Sequence, residues 1–241
     1  MDRNSYIIYI INLFEKNGLG HLIDADKASK LYELSSLLVE TNKVTNLTAI
    51  TDEKDIMLKH FLDSATVCDS LANGCSVLDV GCGAGFPSLP LAILRPDLKI
   101  TSIDSTGKKI NFVNRAAELL GLSNLKAICT RAEDFAKTGR EHFDACTSRA
   151  VARLNVLAEL CVPFVKLGGL FVAMKSDKGS EEYNEAKKGI ITLGCKLGNK
   201  NELTLADETT VIAREIYCFE KVAHTPMQYP RNYSQITKKP L

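Results

Sequence analysis

Short apolar runs alternate with longer segments of helical periodicity from residue 76 onward. The apolar runs cover residues 76–80, 99–103, 125–129, 143–147 and 169–174, and the helical patterns cover 88–94, 107–120, 150–166 and 180–193. Alternation of this kind is typical of βα units, and it predicts a parallel sheet with helices on both faces. Strands of such a sheet are buried on both sides, and the runs SVLDV and GLFVAMK are accordingly mostly apolar.

The segments on either side of this alternation follow other patterns. Residues 1–72 contain three stretches with apolar residues at helical spacing, which predict a helical cap without strands. Residues 202–222 contain two strand candidates with no helix between them, which predict an antiparallel hairpin that closes the sheet. The chain therefore divides into a helical cap (1–72), an α/β domain (73–222) and a basic tail without acidic residues (223–241).

Composition narrows the class of protein. Apolar residues make up 45% of the chain and charged residues 24%, and the net charge is +1, which is ordinary for a globular protein. The sequence lacks an apolar run long enough to cross a bilayer and lacks the basic start of a signal peptide, so we expect a cytoplasmic protein. The eight cysteines show no C-x-x-C spacing, so we expect buried thiols, without disulfides or a metal site.

A glycine-rich turn follows the first apolar run, in the stretch VLDVGCGAGFPS at residues 77–88. Glycine lets the backbone approach a ligand closely, because it has no Cβ and tolerates positive φ. A dinucleotide fingerprint, G-x-G-x-x-G/A, requires a third small residue at position 86, where this chain has Phe86. This mismatch weakens a nicotinamide-binding interpretation without excluding it.

Acidic residues accompany the turn at the ends of three successive strands. Asp79 lies two residues before Gly81, and Asp104 closes the next strand, where a carboxylate can accept both ribose hydroxyls. One strand later, Ala132, Glu133 and Asp134 are placed to contact an adenine edge. This constellation resembles the Rossmann-like class of S-adenosylmethionine-dependent methyltransferases, and the resemblance implies an α/β fold with a mostly parallel seven-stranded sheet.

The fourth apolar run bears on the methyl acceptor. Residues 143–151, FDACTSRAV, lack the Asn/Asp-Pro-Pro-aromatic segment expected of an amino-group methyltransferase. Cys146 lies near the position of a cytosine-C5 nucleophile, but it follows Ala145 inside a predicted strand and lacks the expected proline before it. We therefore interpret it as a buried core thiol.

The motifs VLDVGCGAGFPSLPLAI, IDSTGKK, RAEDF, FDACTSRAVARL and YPRNYSQITKKPL resemble one family throughout. This is the bacterial small-subunit ribosomal RNA guanine-N7 methyltransferase family, RsmG, formerly GidB. NLTAI and KHFLDS extend the resemblance across the cap, and Ser88 departs from it, because the family usually has glycine there. The resemblance implies transfer of a methyl group from S-adenosylmethionine to N7 of a guanine in 16S ribosomal RNA, by a cytoplasmic enzyme that we expect to be a monomer.

The glycine turn, the strand-end acids and the family resemblance together give a set of expected cofactor contacts. The set comprises Asp79, Gly81, Gly83, Gly85, Phe86, Asp104, Ser105, Thr106, Ala132, Glu133 and Arg149. Guanine N7 carries an in-plane lone pair and attacks a sulfonium methyl without first losing a proton, so the reaction needs alignment and no general base. Arg149 and Lys175, at the ends of the fourth and fifth strands, are the candidates for positioning the guanine.

Basic and aromatic residues supply candidates for RNA contact. The basic set is Arg153, Lys175, Arg231, Lys238 and Lys239. Residues of the cap that are expected to line the same mouth are Lys43, Asn46, His60 and Asp63, and the aromatic candidates for base stacking are Phe86, Tyr229 and Tyr233. Two alternatives stay open from the sequence: a NAD-dependent oxidoreductase, and a non-catalytic RNA-binding factor of ribosome assembly.

Overall fold

One mixed sheet organises the chain. The structure, a computed structural model, describes residues 1–149 and 152–241, and all bounds below refer to them. The strands are β1 (Ser76–Val80), β2 (Lys99–Asp104), β3 (Leu125–Cys129), β4 (Phe143–Arg149), β5 (Val165–Lys175), β6 (Cys195–Ala206) and β7 (Val211–Lys221). Their order in the sheet is β3-β2-β1-β4-β5-β7-β6. The predicted α/β fold with a seven-stranded sheet is confirmed.

The strand directions match the sequence pattern. Strands β1 to β5 pair in parallel, and β7 pairs antiparallel with both β5 and β6. The hairpin predicted at the end of the domain is therefore present and closes one edge of the sheet. Chain order reverses beside β1, because β2 lies on one side of it and β4 on the other. In open α/β sheets, ligands bind at the carboxyl ends of the strands beside this switch point.

Helices cover both faces of the sheet. They are α1 (Arg3–Lys16), α2 (Ala25–Thr45), α3 (Glu53–Ile56), α4 (Asp63–Ala65), α5 (Ser88–Leu94), α6 (Gly107–Leu119), α7 (Ala132–Gly139), α8 (Leu154–Cys161), α9 (Gly179–Thr192) and α10 (Tyr233–Lys238). The helical pattern over 150–166 overestimates α8, because Pro163 has no amide hydrogen and the chain turns into β5 at Val165. Residues 150 and 151 of that pattern lie outside the described residues.

The N-terminal helices pack on one face of the sheet. Side chains of Asp2, Asp24 and Asp52 accept hydrogen bonds from backbone amides and start α1, α2 and α3. Phe14 and Phe61 belong to the same buried cluster as strand residues of β1 and β2 and residues of α5 and α6. The cap is thus joined to the sheet by a shared hydrophobic core, and a π-helical turn at Met57–Leu62 connects α3 to α4.

The C-terminal segment packs on the opposite face, together with α7, α8 and α9. Ile236 of α10 is completely buried in that second core cluster. The Arg140 guanidinium donates hydrogen bonds to the carbonyl oxygens of Thr225, Pro226 and Tyr229. Residues 223–241 therefore form a docked strap, in which Lys238 and Lys239 are exposed.

Arg231 anchors this strap to a buried carboxylate. Its Nε and Nη2 donate to Glu159 at 2.9 and 2.6 Å, and Glu159 has no exposed side-chain surface. Burying a carboxylate requires a partner of opposite charge, because desolvation of an unpaired charge is costly. Arg231 was expected to contact RNA, and the structure gives it this structural contact within the chain.

We predict that Arg231→Met lowers the free energy of unfolding by about 3 kcal/mol, because it leaves the Glu159 charge buried without its partner. Urea denaturation of the purified variant measures this loss. Adding Glu159→Gln should recover part of the loss, and Lys238→Met, a change of an exposed cation, should have almost no effect. Equal stability of Arg231→Met and wild type would contradict the prediction.

Candidate active site

The glycines of the turn after β1 have two different roles. Gly81, Gly83 and Gly85 all have positive φ, at 72°, 57° and 88°. A Cβ on Gly85 would lie 2.4 Å from Cδ1 of Leu89, so Gly85 allows α5 to pack closely behind the turn. A Cβ on Gly83 would meet no atom within 4 Å, so this glycine faces open space where a ligand can approach the backbone.

Asp104 fixes the mouth of this turn. Its Oδ2 accepts a hydrogen bond from the Gly83 amide at 3.0 Å, and its Oδ1 accepts one from the Thr106 amide at 2.8 Å. Each carboxylate oxygen keeps lone-pair capacity for a further donor. The carboxylate is therefore held in one orientation and can still accept hydrogen bonds from a bound diol.

Three adjoining cavities follow the carboxyl ends of the strands. The β2–β3 cavity, of about 370 Å³, is lined by Asp104, Ser105, Ala132, Glu133 and Tyr233, among others. The glycine-turn cavity, of about 310 Å³, is lined by Gly81, Gly83, Phe86, Lys109 and Thr48, among others. The β4–β5 cavity, of about 480 Å³, is lined by Asp63, Lys175, Ser176, Glu182 and Arg214, among others.

Shared residues connect these cavities in a row. Gly81 and Asp104 line both the β2–β3 cavity and the glycine-turn cavity. His60 and Arg149 line both the glycine-turn cavity and the β4–β5 cavity. The row therefore passes from β3 across the switch point to β5, with Arg149 between its second and third members.

A buried carboxylate holds Arg149 in place. The Arg149 guanidinium donates to Asp63 Oδ2 at 3.1 Å and to the Lys59 carbonyl oxygen at 2.7 Å. Asp63 also accepts a hydrogen bond from Nε of Arg214 at 2.7 Å. Burial lowers the pKa of Arg149, and the adjacent Asp63 charge opposes that shift. Asp63 thus links the cap to β4 and to β7.

His60 lies against Arg149 on the π-helical turn. Its Nδ1 is 2.9 Å from Nη2 of Arg149, and its Nε2 is 3.0 Å from Oγ1 of Thr48. Arginine only donates, so Nδ1 accepts and the ring proton sits on Nε2. Burial and the Arg149 charge lower the pKa of His60 to about 3, and the ring stacks on Phe86 at 4.2 Å between centroids. His60 is therefore neutral, and Phe86 is already stacked within the protein.

Asp79 lies beneath the glycine turn and is not among the residues that line the three cavities. It is fully buried, and its Oδ2 accepts a weak hydrogen bond from the Ser88 amide at 3.3 Å. Oδ1 of Asp79 and the hydroxyl groups of Ser88, Ser102 and Thr147 are buried without a partner among the described residues. Burial raises the pKa of Asp79 to about 7. Asp79 therefore supports the turn from below, in contrast to the direct cofactor contact expected from the sequence.

The other residues expected to contact RNA or the base lie partly in the cavities and partly outside them. Nζ of Lys175 lies in the β4–β5 cavity, 2.8 Å from Oε2 of Glu182. Arg153 is exposed and pairs with Glu185 at 2.8 Å. Tyr229 is buried in the strap, whereas Tyr233 lines the β2–β3 cavity. Lys43 and Asn46 close the last turn of α2, where Asn46 adopts positive φ.

The cysteines and the possible metal ligands can be compared with the expectations from the sequence. Cys146 is completely buried in β4, and burial raises the pKa of its thiol far above the ordinary value, as expected for a core residue. Cys129, at the end of β3, is exposed, so the expectation of buried thiols is wrong there. In residues 1–149 and 152–241, no three His, Cys, Asp or Glu side chains are grouped closely enough to hold a metal ion, and no helix is long and apolar enough to cross a membrane.

Sequence reasoning missed Arg214. It lies on β7, in the hairpin, and 151 residues separate it from Asp63. Only the antiparallel pairing of β7 with β5, which sets Glu215 opposite Lys175, brings it to the cavity. Its sole signal in the sequence is a cation within an apolar run, TVIAREIYCF.

Comparison with solved structures defines the fold. The AdoMet complex of M. jannaschii TYW2 superposes with a TM-score of 0.52 at 16% identity, over 66% of this chain and 75% of that chain. YcgJ of Bacillus subtilis superposes with a TM-score of 0.54 at 14% identity, over 68% of this chain and all of that one. The fold is that of the Rossmann-like S-adenosylmethionine-dependent methyltransferases.

Comparison of sequences defines the family. Residues 27–211 match the GidB family model, described as rRNA small subunit methyltransferase G, and the chain belongs to this family. Ribosomal RNA small subunit methyltransferase G of Clostridium perfringens (strain 13) is 44% identical over 229 residues, 93% of this chain and 95% of that protein. Its counterpart in Staphylococcus aureus (strain Newman) is 47% identical over 208 residues, 85% of this chain and 86% of that protein. The predicted family is confirmed, and with it a methyltransferase that uses S-adenosylmethionine.

We predict that the stability difference between Asp79→Asn and wild type depends on pH. The raised pKa of Asp79 means that the folded chain retains a proton that the unfolded chain loses above pH 4. Wild-type stability should therefore fall between about pH 4 and 7 and level off above, by at most about 4 kcal/mol from this group. The uncharged asparagine should remove that decrease.

Urea denaturation at several pH values between 4.5 and 8 measures the difference, which should grow in favour of Asp79→Asn as pH rises. Groups common to both chains, including His60, cancel in it. Asp26→Asn, a change of an exposed carboxyl group of α2, should give a curve parallel to wild type. Parallel curves for Asp79→Asn would contradict the prediction.

We predict that Asp104→Asn weakens S-adenosylhomocysteine binding by about ten- to a hundredfold, because a charged acceptor at the mouth of the turn is lost. Isothermal titration calorimetry measures the affinity. Asp26→Asn serves again as the control and should bind normally. Unchanged affinity in folded Asp104→Asn would place the ribose elsewhere.

Proposed function

We propose that this protein transfers a methyl group from S-adenosylmethionine to N7 of a guanine in 16S ribosomal RNA. The observation that carries the proposal is the row of three cavities with shared walls. A ribose-binding carboxylate, Asp104, lies between the first two, and a fixed guanidinium, Arg149, lies between the second and third. A nucleoside cofactor fits the first two cavities, and a base that approaches from RNA fits the third.

Residues of the first two cavities match the parts of the cofactor. Ala132, Glu133 and Ser105 would surround the adenine, and Asp104 would accept hydrogen bonds from the ribose hydroxyls. The exposed backbone of Gly81 and Gly83 would allow the amino-acid end to lie against the turn. The cofactor supplies an electrophilic methyl group on a positively charged sulfur. In this arrangement the methyl group would face the cavity wall shared by His60 and Arg149.

The side chains around this wall suit a displacement without proton transfer. Guanine N7 uses an in-plane lone pair and needs no base. His60 is neutral, but Nδ1 accepts from Arg149 and Nε2 donates to Thr48, so it has no free lone pair for a proton. Asp63 is committed to two guanidinium groups. These groups would contribute by holding the base and excluding water, and alignment of this kind is worth up to about 7–11 kcal/mol of the barrier.

Recognition of the RNA backbone would involve cations outside the row. Lys238 and Lys239 are exposed at the end of α10, the helix that begins at Tyr233, and are the cations of the strap that we assign to phosphate contact. Arg153 is exposed but paired with Glu185, and Arg231 is committed to Glu159, so we assign both a smaller part. We also propose that the enzyme acts in the cytoplasm as a monomer, and light scattering of the purified protein tests the latter.

We predict that deletion of the gene removes one 7-methylguanosine from 16S ribosomal RNA, because the proposed function makes this chain the enzyme that adds that methyl group. Mass spectrometry of nuclease digests measures the modified nucleoside and locates it. Expression of the wild-type chain should restore it, and Asp26→Asn should restore it equally. Unchanged 7-methylguanosine content in the deletion strain would overturn the proposed function.

A further inference from the structure

The β4–β5 cavity contains an ion pair with unused hydrogen-bonding capacity. Lys175 is buried, and its Nζ contacts the Ala152 carbonyl oxygen at 2.7 Å and Oε2 of Glu182 at 2.8 Å. An ammonium group has three donors, so one N–H of Lys175 has no partner among the described residues. Neither cofactor binding nor the RNA backbone contact proposed above uses this pair.

Glu182 is fixed beside Lys175. Its Oε2 also accepts a hydrogen bond from the Leu154 amide at 2.8 Å, whereas its Oε1 accepts none from residues 1–149 and 152–241. Glu182 lies in the first turn of α9, where the helix dipole favours a negative charge. The side chain is only 17% exposed and lines the cavity. A charged acceptor is thus held in one orientation at the cavity wall, next to a free donor.

This donor and acceptor pattern matches one edge of guanine. The pairing edge of guanine presents the O6 acceptor followed by the N1–H and N2–H donors. Nζ of Lys175 can donate to O6, while Oε1 of Glu182 accepts from N1–H and N2–H. Enzymes that act on a base taken out of the stack commonly bind it by this edge. Holding the base by this edge leaves N7, on the other side of the purine, free for methyl transfer.

We propose that Glu182 is a specificity-determining residue that selects guanine at the β4–β5 cavity, with Lys175 as its partner. The proposal rests on the proposed function, because it assigns this cavity to the methyl acceptor. Adenine presents a lone pair at N1 and a donor at position 6, so the Glu182 carboxylate would face a lone pair and the Lys175 ammonium would face an amino group. Unpaired buried groups of this kind give strong discrimination between bases.

Inosine tests the assignment, because it differs from guanosine only by the missing N2 amino group. The RNA substrate is 16S ribosomal RNA assembled by ligation, with guanosine or inosine at the position that mass spectrometry identifies as methylated. Initial rates give kcat/KM for the wild-type enzyme and for Glu182→Gln. We expect wild type to prefer guanosine by about tenfold or more, the value of one hydrogen bond to a charged group. In Glu182→Gln the preference should fall to about threefold or less, because the neutral amide oxygen accepts a weaker hydrogen bond from the amino group than the carboxylate does.

The ratio of the two substrates separates recognition from a structural role. Glu182 also supports Lys175 and the start of α8, so its loss lowers both rates, but a purely structural defect lowers them equally and keeps the wild-type ratio. Glu181→Gln removes a neighbouring, mostly exposed carboxylate and should keep the wild-type ratio. Melting curves and S-adenosylhomocysteine affinity confirm that each variant is folded.

Two results would overturn the assignment of Glu182 alone: equal rates of wild type on guanosine and inosine, or a preference that Glu182→Gln keeps. The first needs no variant, so it decides even if Glu182→Gln fails to fold. Absence of wild-type transfer to any guanosine of the RNA would overturn the proposed function itself, and the assignment of the cavity with it.

Discussion

The two hydrogen bonds that Asp104 accepts determine the shape of the glycine turn and of the two cavities beside it. They tie the amide of Gly83, in the turn after β1, to the amide of Thr106, at the start of α6. The amides of Gly81 and Cys82 both donate to the Ile103 carbonyl oxygen, so backbone contacts reinforce the same connection. Without it, the turn after β1 and the end of β2 would be independent loops. With it, they form one continuous wall, and Gly81 and Asp104 in that wall line both of the first two cavities.

A second carboxylate, that of Asp63, fixes the side chains that line the β4–β5 cavity. Asp63 connects Arg149 at the end of β4 with Arg214 on β7, and it is itself supplied by the cap. A buried carboxylate with two guanidinium partners is costly to separate, because removal of one partner leaves a charge in a poorly solvated site. The cap is therefore more than a cover for apolar strands. It provides the group that fixes the orientation of both arginines in the wall of the β4–β5 cavity.

Local patterns predicted most of the fold and the position of Asp104 at the end of β2. The bounds of β1, β3 and α5 follow directly from apolar runs and helical periodicity, and the strand-end position of Asp104 follows from them. No local pattern reveals the contacts between distant residues, such as Arg214 with Asp63 at the β4–β5 cavity and Arg231 with Glu159 in the strap. Charge alone suggested an RNA contact for Arg231, because the sequence does not show that its partner is buried 72 residues earlier.

Acidic partners around the β4–β5 cavity explain how several cations can lie close to the proposed site of a cationic cofactor. Four cations line the cavity beside the place proposed for the sulfonium group: Lys59, Arg149, Lys175 and Arg214. Unpaired, they would oppose cofactor binding, since like charges in a poorly solvated site repel strongly. Asp63 offsets the two arginines, Glu182 offsets Lys175 and Asp55 offsets Lys59, at distances of 2.7–3.1 Å. Under the proposed function, the cavity would therefore recognise its base by the direction of its hydrogen bonds, and the exposed lysines of the strap would attract the RNA chain.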